Sequence, residues 1–164
     1  MKIIIILLIA LIAVMVFNAV RFKAADNGPR TVEDVKINGD RAQQNLSTLI
    51  KFETVSNADY DKTDKAVFAA YRAKLKELYP NVTAASEYKE LGNTAMLFKI
   101  KGRSSENPSV LMSHYDVVPV EEGRWQHPPF CGEIIDGVLW GRGIIDTKIT
   151  MVGIMEALED LLAD

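Results

Sequence analysis

With 164 residues, 48% of them apolar and 25% charged, the chain is long enough for one cored domain and too apolar for a disordered tail. Its formal net charge of −3 argues against the basic surface that nucleic-acid binding requires. One cysteine, Cys131, excludes an intramolecular disulfide framework and leaves the redox compartment open.

The first element is an apolar run, residues 3–20, with Asn18 its single polar member. As a helix these 18 residues span about 27 Å at roughly 1.5 Å each, near the thickness of a bilayer core. Residues 1–23 therefore read as a transmembrane anchor or a signal segment. Phe17, Phe22 and Lys23 occupy positions where signal cleavage needs small residues, which favours the anchor. Lys2 precedes the run, and Arg21 and Lys23 follow it, so charge does not decide orientation. Residues 24–40 read as a linker, broken at Asp26-Asn27-Gly28-Pro29.

From residue 41 the pattern is globular. Leu46, Leu49 and Ile50 carry helical spacing over residues 41–52, with Asp40 as the expected cap. Phe68, Tyr71, Leu75 and Leu78 form the stripe of a second helix over residues 64–79, which Pro80 ends. Residues 81–91 read as extended, and Gly92-Asn93 as a turn. Residues 94–101 alternate, with Met96, Phe98 and Ile100 on one face of a strand. Residues 110–112 form a short apolar strand, and residues 133–140 a hairpin turning at Asp136-Gly137. From residue 147 onward Met151, Ile154, Met155, Leu158, Leu161 and Leu162 make a wide helical stripe. Strands mixed with helices imply an α/β class, with a mixed sheet flanked by helices.

Two short motifs carry chemistry. His114 follows the strand at residues 110–112, and Asp116 lies two residues on, on the same side of extended backbone. A carboxylate on one imidazole nitrogen orients the ring and strengthens the other nitrogen as a metal ligand. His-x-Asp alone also occurs as an ordinary structural hydrogen bond. Gly141-Arg142-Gly143 then leads to Asp146, just before the last helix. The Asp146 carboxylate could bridge two cations, or it could cap that helix. His127 lies in a proline-flanked loop and reads as no ligand; Cys131 reads as a small buried residue. Ser113 lacks the nucleophile elbow of a serine hydrolase.

Three stretches taken together resemble the co-catalytic zinc aminoacylase/carboxypeptidase family, in its glycine-X carboxypeptidase and N-fatty-acyl-amino-acid hydrolase branch. They are Ser-His-Tyr-Asp-Val-Val-Pro (113–119), Trp-x-x-x-Pro-Phe (125–130) and Gly-x-Leu-Trp-Gly-Arg-Gly-x-x-Asp-x-Lys (137–148). The resemblance implies that residues 41–164 are the N-terminal part of a zinc-peptidase-like catalytic domain. It implies two zinc ions, one held by His114 and both bridged by Asp146, with Asp116 orienting His114 as a catalytic residue. The peptide bond after the bridging aspartate is often cis in this family. The implied substrate is a small peptide or N-acyl amino acid, cleaved at an amide bond. The implied setting is a catalytic domain anchored outside the cytoplasm, or secreted if the first segment is cleaved. Ile144 and Ile145 depart from the smaller residue the family often has. The family's Glu-Glu pair, its later ligands and its lid domain, which often dimerises, are not in these 164 residues. The chain alone is therefore expected to be an inactive portion; the alternative is a non-enzymatic homologue or membrane-tethered binding module.

Overall fold

The computed structural model describes residues 2–22, 37–104 and 106–163. The linker expected at residues 24–40 lies mostly outside them. The chain forms two compact units that meet in sequence at Ile37 and Asn38.

The first unit contains α1, Lys2–Arg21, which is 20 residues long and apolar on every side. None of its residues is buried. A helix of that length spans about 30 Å, so length and composition suit it to crossing a membrane.

The second unit begins with α2, Gly39–Ile50. Its cap is Asn38, whose side chain accepts from Arg41 N at 3.0 Å, and not the expected Asp40. α3, Lys65–Leu78, starts as the sequence implies, with Asp64 accepting from Ala66 N at 3.0 Å. Pro80 ends α3 but also opens α4, Pro80–Ala85, so the first half of the segment expected to be extended is helical. Proline at the first helical position fixes φ in the helical range. Glu159, distant in sequence, then accepts from Asn81 N and Val82 N at 3.0 Å each, an anion at the positive end of α4.

β1, Ser86–Leu91, and β2, Ala95–Ile100, pair antiparallel from Ser86↔Ile100 to Leu91↔Ala95. Gly92, at φ +63°, makes the turn. Met96, Phe98 and Ile100 face the core as expected. Arg72 ties the hairpin to α3, donating to Asn93 O at 2.8 Å and to Glu90 at 2.9 Å. β3, Ile134–Ile135, and β4, Val138–Leu139, form the expected second hairpin. Asp136 and Gly137 supply its two positive φ angles, +51° and +79°.

The expected single mixed sheet is absent among the described residues. There are two separate two-stranded sheets and one parallel bridge, Val55 to Val117. Residues 110–112 form no strand, and their side chains are 76%, 62% and 80% exposed. Apolar composition marks them for burial, but no neighbouring strand pairs with them among the described residues.

α5, Ile149–Leu161, closes the unit. Met151, Val152 and Met155 enter the core, with Leu46, Leu49, Ile50, Phe68, Tyr71 and Leu75 from α2 and α3. Leu161, assigned to the stripe from sequence, is 71% exposed, because the buried arc of α5 turns towards Glu156 and Glu159. The Glu156 carboxylate accepts from Arg41 Nε at 2.6 Å, Asn45 Nδ2 at 2.7 Å and the Tyr79 hydroxyl at 2.9 Å. Burial, and then this carboxylate, push the Tyr79 phenol above its ordinary pKa. Tyr71 and Tyr115 stack at 4.6 Å between α3 and the segment that carries His114.

Candidate metal centre

The two motifs reach the site from different supports. The His114 segment is fixed by Val117 N donating to Thr54 O at 2.9 Å and Ser56 N donating to Val117 O at 3.0 Å. Thr54 Oγ1 also donates to Tyr115 O at 2.5 Å. The Asp146 turn rests on α2. The Lys148 ammonium is fully buried and donates to Phe52 O at 3.1 Å and Leu49 O at 3.3 Å, capping the carbonyl end of that helix. Burial depresses the Lys148 amine to about 8. Gly143, at φ +84°, lets this turn pass Val117, because a Cβ there would overlap Val117 Cγ1. The Asp146–Thr147 peptide bond is cis, as the resemblance implied.

These supports bring His114 and Asp146 together across 32 residues of sequence, with Nε2 and Oδ1 3.0 Å apart. His114 Nδ1 lies 3.1 Å from the Asp116 carbonyl oxygen and 3.3 Å from Asp116 Oδ1. The orienting contact expected of the Asp116 carboxylate is therefore shared with its own backbone. Both partners of Nδ1 are acceptors, so that nitrogen carries the proton. In the neutral ring Nε2 then presents a lone pair to a carboxylate oxygen, and two acceptors face each other. A proton or a cation between them resolves the repulsion. Partial burial alone would lower the imidazole pKa; the hydrogen bonds to Asp146 and Asp116 outweigh it and raise it.

The separation suits a shared cation. Two ligands about 2.0–2.1 Å from one tetrahedral zinc stand roughly 3.3 Å apart, close to the 3.0 Å observed. The Asp146 side chain is 86% exposed, which leaves its second oxygen open to solvent. The set is partial: no cluster of three or more His, Cys, Asp or Glu side chains suited to a metal occurs among the described residues. The other sequence candidates lie elsewhere. His127 packs edge-on against Trp140 at 4.5 Å, and Cys131 Sγ donates to Trp140 O at 3.6 Å.

The cap reading of Asp146 fails on geometry. α5 begins at Ile149, its N-cap is Lys148, and no side chain caps it. Asp146 and Thr147 have non-helical backbone angles, and the carboxylate turns to His114.

Sequence reading assigned no role to Lys148 and excluded Ser113 only as a nucleophile. Ser113 Oγ contacts both the hydroxyl and the carbonyl of Thr147. The one sequence signal was position, since each residue lies within two places of a candidate donor.

His114 borders two cavities, and Asp146 borders one of them. One, of about 380 Å³, is lined by Trp125, Trp140, Arg142 and Ile145 beside both donors. The other, of about 680 Å³, runs from His114 along Met96, Phe98 and Met155.

An α/β unit thus presents facing His and Asp side chains at a cleft. The sequence model of peptidase family M20/M25/M40 matches residues 110–164 of this chain. It is 33% identical over 167 residues to probable carboxypeptidase S-like 2 of Dictyostelium discoideum, covering 96% of this chain and 32% of that protein. It is 35% identical over 127 residues to the N-fatty-acyl-amino acid synthase/hydrolase PM20D1.1 of Danio rerio, covering 75% of this chain and 24% of the relative. The human PM20D1 of the same description is 33% identical, over 71% of this chain and 24% of its own length. The chain thus spans a third or less of the relatives it matches.

Proposed function

We propose that residues 41–164 supply part of the active site of a zinc-dependent hydrolase that cleaves the amide bond of small peptides or N-acyl amino acids. The observation that carries this reading is the facing of His114 Nε2 and Asp146 Oδ1 at 3.0 Å, while Nδ1 is committed to Asp116. In this reading Asp116 holds the Nδ1 proton and fixes the ring plane. His114 Nε2 and the Asp146 carboxylate are the groups that would hold zinc here. A bound zinc would supply Lewis acidity, polarising an amide carbonyl and acidifying a water. The family match over residues 110–164 and the names of the relatives support the reaction class. The apolar helix α1 supports membrane attachment, or secretion if the segment is cleaved; a globular unit outside the cytoplasm rests on the family resemblance alone. The relatives' greater length supports the reading that this chain is one portion of an enzyme whose remaining ligands and general base lie in further sequence.

The test is zinc content after dialysis for the whole chain and for His114→Ala and Asp146→Ala, with circular dichroism as a check on folding. The reading expects weakly held zinc in the parent, because the set is partial, and a Kd raised in folded variants by at least the ~10-fold that losing an orienting partner costs. Unchanged loading in both variants would refute it. The pair would then be a proton-bridged structural contact.

A further inference from the structure

The two candidate donors belong to separately anchored segments, and a second pair of side chains joins those segments beside them. Ser113 immediately precedes His114, and Thr147 immediately follows Asp146. Ser113 Oγ is 3.0 Å from Thr147 O and 2.6 Å from Thr147 Oγ1. One proton assignment satisfies both contacts. The Ser113 hydroxyl donates to the Thr147 carbonyl, and the Thr147 hydroxyl donates back to Ser113 Oγ. This makes a reciprocal two-bond tie across 34 residues of sequence, with both residues partly buried. The Thr147 side chain is β-branched, so few rotamers compete with the one that makes the bond.

The tie does work that the other anchors do not. The His114 segment is held to residues 54–56, and the Asp146 turn is held to the end of α2 through Lys148. Both anchors end on residues 49–56, so they link the two donors only indirectly. Apart from the contact of His114 with Asp146, Ser113–Thr147 is the hydrogen bond between the two segments among the described residues. A carboxylate as exposed as that of Asp146 would otherwise drift with its turn.

We infer that Ser113 and Thr147 are positioning residues, whose mutual hydrogen bonds set the separation of His114 Nε2 and Asp146 Oδ1 and thereby the affinity for a divalent cation. The inference rests on the reading of His114 and Asp146 as metal ligands. Neither hydroxyl is assigned a bond to metal or substrate.

The experiment measures the zinc dissociation constant of the whole chain by competition with a chromophoric chelator. It uses Ser113→Ala, Thr147→Val, the double variant, Thr147→Ser and His114→Ala. Removing a group that orients a ligand costs about 10-fold in metal affinity. Ser113→Ala and Thr147→Val are each expected to raise Kd by about that factor, and the double variant by no more than either single variant. Thr147→Ser keeps the hydroxyl and is expected to bind like the parent, which a loss of packing would not allow. Wild-type Kd in both single variants, with His114→Ala weakened, overturns the positioning role and leaves the metal site standing. Additive losses in the double variant, or equal losses in Thr147→Ser and Thr147→Val, also overturn it. An unchanged Kd in His114→Ala overturns the metal site itself, and the inference with it. Should Thr147→Val fail to fold, Ser113→Ala and Thr147→Ser still decide between a hydroxyl tie and packing.

Discussion

Glu156 is the sharpest test of how the globular unit holds together. Its carboxylate is buried and joins α5 to α2 and to the junction of α3 and α4 through Arg41, Asn45 and Tyr79. Glu156→Ala would strand two donors. Asn45 is 7% exposed and Tyr79 fully buried, so water cannot replace the lost acceptor. Each stranded donor costs about 1–3 kcal/mol. Arg41 adds little, because it keeps Asp160 Oδ1 at 2.6 Å and its side chain is a third exposed. The sum is about 4 kcal/mol, within the range of roughly 3–5 for breaking one partner of a buried ion pair. With a urea slope of about 1.5 kcal/mol/M, the unfolding midpoint falls by roughly 2–3 M. The assay is urea unfolding of the chain in mild detergent, followed by near-ultraviolet circular dichroism of the Tyr71–Tyr115 stack. Glu156→Leu separates network from packing. It refills the space, yet leaves the same donors unmet, so it too should destabilise. A leucine variant as stable as the parent, or an alanine variant shifted by less than about 0.5 M, would refute the reasoning.

Two further outcomes concern pH. Burial depresses the Lys148 amine to about 8, below its ordinary value of 10.5. Above pH 8 the folded chain has released a proton that the unfolded chain still holds, so stability rises with pH from there towards 10.5. Urea midpoints between pH 8 and 9.5, below ordinary tyrosine ionisation at about 10, should climb in the parent and stay level in Lys148→Met; parallel profiles would contradict the buried-amine account. On the hairpin, the Arg72 guanidinium and then the Tyr88 hydroxyl hold the Glu90 carboxyl below its ordinary range. Their contribution is complete above the ordinary value of 4.5 and is lost as pH falls through the lower folded value. Amide exchange in β1 and β2 should accelerate on that acid side in the parent, and Glu90→Gln should flatten the dependence.

Sequence was most informative where structure is decided locally. Asp64 and Pro80 bound α3, Asp136-Gly137 turns the second hairpin, and alternation sets the face of β2. It was least informative where a distant group decides. α4 was missed because part of what stabilises its start is the carboxylate of Glu159, on α5. Lys148 reads as a surface residue in sequence, since lysine is seldom fully buried; only the fold brings the end of α2 to its ammonium. Residues 110–112 announce burial without naming a partner. At the site, motif spacing singled out His114, Asp116 and Asp146, and the fold brings their side chains within contact range. Spacing could not reveal that the Asp116 backbone shares the Nδ1 contact.

Asp146 shows how local backbone chemistry frees a side chain to face another segment. A helix start leaves N–H groups in need of acceptors, and aspartate is among the side chains that most often supply one. Had α5 started directly after Asp146, its carboxylate would have been drawn to the helix amides and away from His114. Instead the wide turn over Ile144–Lys148 meets the demand from its own backbone. Lys148 N donates to Gly143 O at 2.9 Å, and Ile149 N donates to the carbonyls of Ile144 and Thr147. The left-handed conformation of Gly143 shapes that turn, and the buried ammonium of Lys148 pins it to α2. With these two amides satisfied by carbonyls, the Asp146 carboxylate is left exposed and turned to the imidazole. The Gly-x-x-Asp-x-Lys spacing thus has a physical meaning. The glycine bends the chain, the lysine anchors it, and the aspartate between them is spared a structural duty so that it can face His114.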